Sequence, residues 1–591
     1  MNFIKMFLAG LLAFVVGTFA VFFLWIVLLL GIAGSMERTA VVPDKSILKI
    51  DLSEAIVDSP SSDPLGGLDP LTFRVTKELT MFDILRALDA AATDDRIQGI
   101  YLRLGMGGGS VGSAQLEEIR AAIDEFRASG KFVVAYAETY SQGGYYLASV
   151  ADAVYIQPEG GLDWSGFAFN LMFYKGLLDK LDLKAEVFRP TVCTYKSAVE
   201  PYILTKMSDA NRRQMQELVD SMWETVSEAV CASRGIDAAT MKRLTDDLEV
   251  TLPEEALEHG FVDGLLYEDQ MEDVFDELGA ERGSDDEFAF VSLGDYAGQA
   301  TDNRSFGADR VTVVYADGGI VDGEGSGKDV YGNTLAATLR DVRDDERVKA
   351  VVLRVNSPGG SALASDVIWR EIQLLKAEKP VIVSMGDYAA SGGYYISCPA
   401  DAIVADRMTL TGSIGVFGMY LYTPDALKNK LGITLDGVKS NRSAGMGAIA
   451  PLTAVERAAI MRGVDKVYDT FTTYVAEGRN LPIERVLEIA GGRVWSGADA
   501  LEIGLIDGYG GLKAAIAVAA DKAGLGDDFR VTEAVEPPSG FAAFVASLNM
   551  RIAAAFERSE LGTMMGEYRQ VKEALSQQGI VMYEPRRLLV E

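Results

Sequence analysis

The sequence predicts two tandem α/β domains behind an apolar N-terminal helix. Three observations carry that reading. They are a long internal repeat, a strand–glycine turn–helix–strand order inside each copy, and an uncharged apolar run near the N-terminus.

The repeat spans most of the 591 residues. Asp94-Asp95-Arg96-Ile97 matches Asp345-Glu346-Arg347-Val348, and Leu102-Arg103-Leu104 matches Leu353-Arg354-Val355. Gly108-Gly109-Ser110 matches Gly359-Gly360-Ser361, and Ala151-Asp152-Ala153 matches Ala400-Asp401-Ala402. Asp179-Lys180-Leu181 matches Asn429-Lys430-Leu431, and Ala256-Leu257-Glu258-His259-Gly260 matches Ala500-Leu501-Glu502-Ile503-Gly504. The offset runs from 251 (Asp94 to Asp345) to 244 (Ala256 to Ala500). A period that long means duplicated domains, because solenoid repeats run at about 20–50 residues.

Within each copy the elements follow one order. Ser46–Leu52 and Val311–Ala316 read as first strands, Gly99–Leu104 and Ala350–Val355 as apolar β-branched strands ending in glycine turns. Leu116, Ile119, Ile123 and Phe126, and in the second copy Val367, Ile368, Ile372 and Leu375, mark helices. Phe132–Ala137 and Val381–Met385 are the next strands. Such βαβ units imply parallel strands covered by helices. The predicted boundaries are an anchor at 1–40, an N-terminal domain at 41–280, a polar Asp/Gly-rich linker at 281–310, a C-terminal domain at 311–540 and a helical tail at 541–591 with no assigned function.

Phe7–Gly34 carries no charged side chain, which suits a span of about 20 residues with tilt better than a signal core of about 7–15. Lys5 precedes it and Glu37-Arg38 follows, a weak bias that sets the N-terminus in the cytoplasm and the rest outside it. A cleaved signal is the alternative, with Gly31, Ala33 and Gly34 as small residues at the cut. The formal net charge of −31 disfavours nucleic acid and anionic lipid as partners of the bulk of the chain. Cys193, Cys231 and Cys398 are too few and scattered for a disulfide framework or a thiol zinc site. The single histidine, His259, faces Ile503 in the other copy and reads as a helix end, which argues against a Ser-His-Asp triad; a multi-histidine metal site is excluded.

The two copies are chemically unequal. Aligned on Gly-Gly-Tyr-Tyr, Gln142 of the first copy falls opposite Ser391 of the second. Aligned on Ser-Ala, Lys196 falls opposite Arg442. One copy keeps a nucleophile and the other a base, since a desolvated lysine can give up its proton and arginine cannot. Lys196 stands among Val192, Cys193, Tyr195, Ala198 and Val199, a setting that disfavours a charged amine, although a surface lysine before a helix is the plainer reading. Asn356-Ser357-Pro358-Gly359-Gly360, Ala390-Ser391-Gly392-Gly393 and Thr411-Gly412-Ser413-Ile414-Gly415 each follow a strand. Free backbone N–H groups in such turns suit a developing oxyanion, though glycine and serine also serve simply as turn and cap residues.

Together with Tyr195-Lys196-Ser197-Ala198-Val199-Glu200-Pro201-Tyr202, these motifs resemble the bacterial signal peptide peptidase (SppA) family in its long, duplicated, membrane-anchored form, from the anchor to about residue 530. The resemblance implies a ClpP/crotonase-like fold in each half and a Ser/Lys endopeptidase that degrades remnant signal peptides and other extended peptides. It implies Ser391 as nucleophile, Lys196 as general base, Gly360, Gly392 and Gly359 as backbone oxyanion donors, and Ser413 as the residue orienting the lysine. No metal, nucleotide or organic cofactor is required. A bowl-like homo-oligomer, a tetramer, is expected, held by one helix in the bacterial inner membrane with its catalytic domains in the periplasm. A crotonase-like acyl-CoA enzyme and a catalytically inactive membrane scaffold are the rival readings.

Overall fold

The computed structural model describes residues 42–52, 54–60, 78–105, 111–283, 285–299, 309–526 and 528–534. The expected anchor, the expected helical tail and the turn Gly107-Gly108-Gly109 lie outside the described residues. Among the described residues no helix is long and apolar enough to cross a membrane. Pro43–Ser59 and Leu79–Ala534 belong to one compact unit.

The expected α/β class is present in both halves of that unit, each built on a mainly parallel sheet. The first sheet runs in the order Gly264–Leu265, Ala153–Leu162, Phe132–Tyr140, Ile97–Arg103, Ser46–Ile50 and Ala289–Ser292, all parallel. The second repeats it with Val381–Ala390, Val348–Ser357, Arg310–Asp317 and Arg530–Glu533 in line. Here the strand that follows Val381–Ala390 is broken in two. Ala402–Ala405 pairs with its first part and Leu410–Gly412 with its last part, next to Ser391. Val348–Ser357 is apolar and β-branched because it is covered on both faces: Ala350 to Leu353 and Val355 are fully buried. The covering helix Ala362–Lys376 starts where Ser361 Oγ accepts the Ala364 N–H.

The segment 281–310 is more than a plain linker: it holds a strand and, after it, the short helix Leu293–Ala297. Ala289–Ser292 pairs parallel with Ser46–Ile50 and completes the first sheet, as Arg530–Glu533 completes the second. Four residues in an Asp/Gly-rich stretch are too few to set up a readable alternation.

Two of the features that join the copies stand out. Lys184–Phe188 of the first copy pairs antiparallel with Gly418–Tyr422 of the second, and Phe188 packs against Leu452 and Val464. Deeper in, Arg354 is completely buried and donates to Asp58 and Glu118 of the first copy. Its repeat mate Arg103 instead pairs with Glu268 near the surface.

Candidate active site

Ser391 sits between the strand Val381–Ala390 and the short helix Gly392–Ser397, with φ 56° and ψ −115°. That conformation costs a non-glycine residue about 1–3 kcal/mol and persists only where neighbours hold it. The holding bonds are the Ser391 N–H to Gly412 O at 2.9 Å and the Tyr395 N–H to Ser391 O at 2.9 Å. The flanking turns interlock. A Cβ on Gly392 would lie 2.7 Å from Ser365 Oγ and 3.1 Å from Gly360 N, and one on Gly393 would lie 2.5 Å from Ser357 O.

The turn at Gly359-Gly360 leans on Ile320. Ile320 N donates to Gly359 O at 2.9 Å, and Ser361 N donates to Ile320 O at 2.8 Å. This ladder passes over the N–H of Gly360, which, like that of Gly392, finds no acceptor among the described residues. The Gly359 amide, also expected as a donor, is already given to Ser357 Oγ at 3.2 Å. Gly359 serves the turn by its conformation, at φ +100°.

Lys196 arrives from the other copy, on the loop after Lys184–Phe188, and is 3% exposed. Its Nζ lies 2.9 Å from Ser391 Oγ, 2.8 Å from Ser413 Oγ and 2.9 Å from Ser413 O. Ser413 also has a positive φ of 50° and is fixed by its N–H to Arg493 O at 2.7 Å. The plainer sequence reading, a surface lysine, is therefore overturned: packing from a distant segment covers it.

Several groups that seat this loop were not singled out in the sequence. Gln214, buried on the helix Asp209–Arg234, donates to Tyr195 O at 3.0 Å and Ser197 Oγ at 2.8 Å, on both sides of Lys196. Arg189 Nη1 donates to Lys196 O at 2.8 Å. Tyr195 N donates to Gly491 O at 3.0 Å, and a Cβ on Gly492 would lie 2.5 Å from that of Lys196. The Gly491-Gly492 pair was the available signal, because adjacent glycines mark close backbone approach.

The corresponding place in the first copy is filled. Gln142 opens the helix Gln142–Ala148 behind an ordinary N-cap, Ser141, at φ −75° and ψ 163°. Its side chain closes on Gly166, donating to the carbonyl at 3.1 Å and accepting the N–H at 2.8 Å. The strand register that pairs Tyr140 with Leu162 and Ala389 with Thr411 puts Trp164 at the position of Ser413. Trp164 is 2% exposed and packs against Tyr145 and Phe261. Arg442, the mate of Lys196, is exposed, and His259 closes the helix Pro253–Glu258.

A pocket beside Ser391 and Lys196 has Gly360 and Gly392 on one side and Val416, Phe417, Val467 and Phe471 as an apolar wall. A larger groove of about 1000 Å³ lies among the helices Met81–Thr93, Ser113–Arg127 and Leu512–Ala523 and contains neither residue. Behind the site, carboxyls crowd the roots of the turns at Ser391 and at Gly359-Gly360. Burial, then the charge of Asp58, pushes Asp387 and Asp317 each up to about 7. Asp387 accepts the Ala114 N–H at 2.8 Å; Asp317 accepts from Asn356 Nδ2 at 3.2 Å, and Asn356 Oδ1 accepts the Tyr388 N–H at 3.1 Å.

An α/β fold with a strained serine after a parallel strand and an amine against its hydroxyl is the architecture of a serine hydrolase. The family model of peptidase family S49 matches residues 125–281 and 373–526, one stretch in each copy. Protease 4 of Salmonella typhi is 38% identical over 524 residues, covering 85% of this chain and 83% of its own. Protease 4 of Haemophilus influenzae is 35% identical over 513 residues, covering 84% and 82%. The chloroplastic serine protease SPPA of Arabidopsis thaliana is 33% identical over 473 residues, covering 78% and 69%. The chain belongs to peptidase family S49 and is a serine protease.

Proposed function

We propose that this peptidase works through Ser391 and Lys196 alone as its nucleophile and base. The observation that carries the reading is the approach of Lys196 Nζ to Ser391 Oγ at 2.9 Å while the same nitrogen contacts both oxygens of Ser413. A neutral amine has two N–H groups and one lone pair. Donating to Ser413 O and Oγ leaves the lone pair for the Ser391 hydroxyl proton. Ser391 Oγ attacks the scissile carbonyl as its proton passes to Lys196, and the oxyanion takes the N–H groups of Gly360 and Gly392. The ammonium then protonates the departing amine. Lys196, neutral again, draws a proton from water, which hydrolyses the acyl-enzyme and frees Ser391.

The apolar wall of Val416, Phe417, Val467 and Phe471 suits apolar side chains, which supports membrane-derived peptides, remnant signal peptides among them, as substrates. The uncharged run Phe7–Gly34 supports a single-pass inner-membrane anchor with the catalytic domains on the periplasmic side. A homo-oligomer, a tetramer by family resemblance, completes the reading.

The test is cleavage of an apolar signal-peptide sequence by the full chain in detergent. Ser391→Ala and Lys196→Ala are each expected to abolish cleavage with folding unchanged. A variant that kept a tenth or more of the wild-type rate would remove its residue from the assignment.

A further inference from the structure

The strand Val381–Ala390 carries a bulge at the end that leads to Ser391. Val355 stands opposite Met385 and Ser357 opposite Ala389, so the single residue Asn356 faces three, Gly386, Asp387 and Tyr388. Extra residues of this kind bend a strand and re-aim the side chains next to them. Here the strand re-aimed is the one that delivers Ser391, three positions after Tyr388. Each bulged residue has a holder. Thr409 Oγ1 donates to Gly386 O at 2.8 Å, and the Asp387 carboxyl accepts the Ala114 N–H at 2.8 Å. The Tyr388 N–H goes to Asn356 Oδ1 at 3.1 Å, so a side chain serves the backbone donor where the ladder is broken. Asn356 also sits close against the bulge: a Cβ on Gly386 would lie 3.1 Å from that of Asn356.

We infer that Asn356 is a positioning residue that fixes the Ser391 turn against the Gly359-Gly360 turn; the inference rests on the roles proposed above for those two turns. A backbone N–H only donates, so Tyr388 fixes the amide oxygen of Asn356 and turns its nitrogen to Asp317 Oδ1, at 3.2 Å. The other oxygen of Asp317 accepts the N–H and the hydroxyl of Ser59, from the first copy. On the main chain, Asn356 O accepts the Gly318 N–H at 3.0 Å. The next residue, Ser357, donates to Gly318 O at 2.6 Å and accepts the Gly359 N–H. One side chain thus ties the strand below the serine to the root of the glycine turn. The repeat supports the same role. Gly105 follows Leu102-Arg103-Leu104 as Asn356 follows Leu353-Arg354-Val355, so the copy with Gln142 in the place of the serine has no side chain in the place of the asparagine. Space does not impose that glycine. Among the described residues, a Cβ on Gly105 would meet nothing nearer than Arg103 Nη1 at 3.8 Å.

A reacting group misplaced by about 1 Å costs on the order of 100-fold in rate. The test measures kcat and KM of the full chain in detergent on one apolar signal-peptide sequence. Asn356→Ala and Asn356→Asp are each expected to lower kcat by about ten-fold or more, with KM within about two-fold of wild type. Asn356→Asp keeps an acceptor for Tyr388 but removes the donor to Asp317 and sets two carboxyls together. Adding Asp317→Asn exchanges the pair and restores a donor between the two positions, with the number of carboxyls unchanged. That double variant should return to within about three-fold of the wild-type kcat, a recovery that a general loss of packing would not show. Wild-type kcat in Asn356→Ala overturns the inference, as does a double variant no faster than Asn356→Asp alone. Ser391→Ala is run beside them: cleavage retained there would instead overturn the nucleophile on which the inference rests.

Discussion

Lys196 Nζ and Ser391 Oγ lie 2.9 Å apart although 195 positions separate them in the chain. Each belongs to a different copy of the repeat, and Lys196 is positioned by groups of the other copy as well as its own. Gly491 and Gly492 of the second copy seat the Lys196 loop, and Ser413 of the second copy holds its amine.

Lys196→Arg should be nearly as damaging as Lys196→Ala. Arginine keeps the charge but has no lone pair to accept the serine proton. Steady-state cleavage of one peptide by both variants decides it, and an active arginine variant would make the lysine an electrostatic group only.

Ser413→Ala should fall between wild type and Lys196→Ala. It removes one of the amine's contacts and leaves the Ser413 carbonyl in place. A lost hydrogen bond to a buried group is worth about 1–3 kcal/mol, roughly five- to 150-fold in kcat. The fall should appear in kcat with KM little changed.

Gln142→Ser in a Ser391→Ala background should restore neither cleavage nor labelling by a serine-directed probe. Position 142 has ordinary helix-entry geometry behind Ser141, and Trp164 fills the place where a lysine-holding serine would stand. Labelling of the new hydroxyl would show that the first copy carries a base of its own.

Asp387→Asn should gain stability over wild type as the pH rises. Burial lifts the Asp387 carboxyl to about 7 from an ordinary 3.8, so the folded chain keeps a proton that the unfolded chain releases. That contribution is fully present below pH 3.8 and is lost as the pH climbs to 7. An asparagine keeps the acceptor for the Ala114 N–H and does not ionise. Urea midpoints of the two chains measured at intervals from pH 4 to 8 should diverge in favour of the variant; parallel curves would refute the linkage.

The parts legible in the sequence were those written in local pattern. Strand–turn–helix order, the lone serine at position 391 and the lone lysine at position 196 all followed from setting one copy beside the other. The seating of Lys196 was not legible, because Gln214 and Gly491-Gly492 reach it from elements remote in the chain. Arg354 and Arg103 hold equivalent places in matching strands, yet one is sealed between two carboxylates and the other lies near solvent. Only the packing of one copy on the other separates them. The substitution of Trp164 for Ser413 was hidden for a related reason: no shared motif surrounds it, and strand register alone reveals the equivalence.

The antiparallel clasp Lys184–Phe188 with Gly418–Tyr422 makes the chain, in effect, a heterodimer written on one gene. The two copies share one fold, and the clasp helps bring the lysine of one beside the serine of the other. On the proposed dyad, neither half alone would be an enzyme. The covalent link between them acts as a tether, keeping the proposed nucleophile and base at a one-to-one ratio in every molecule synthesised.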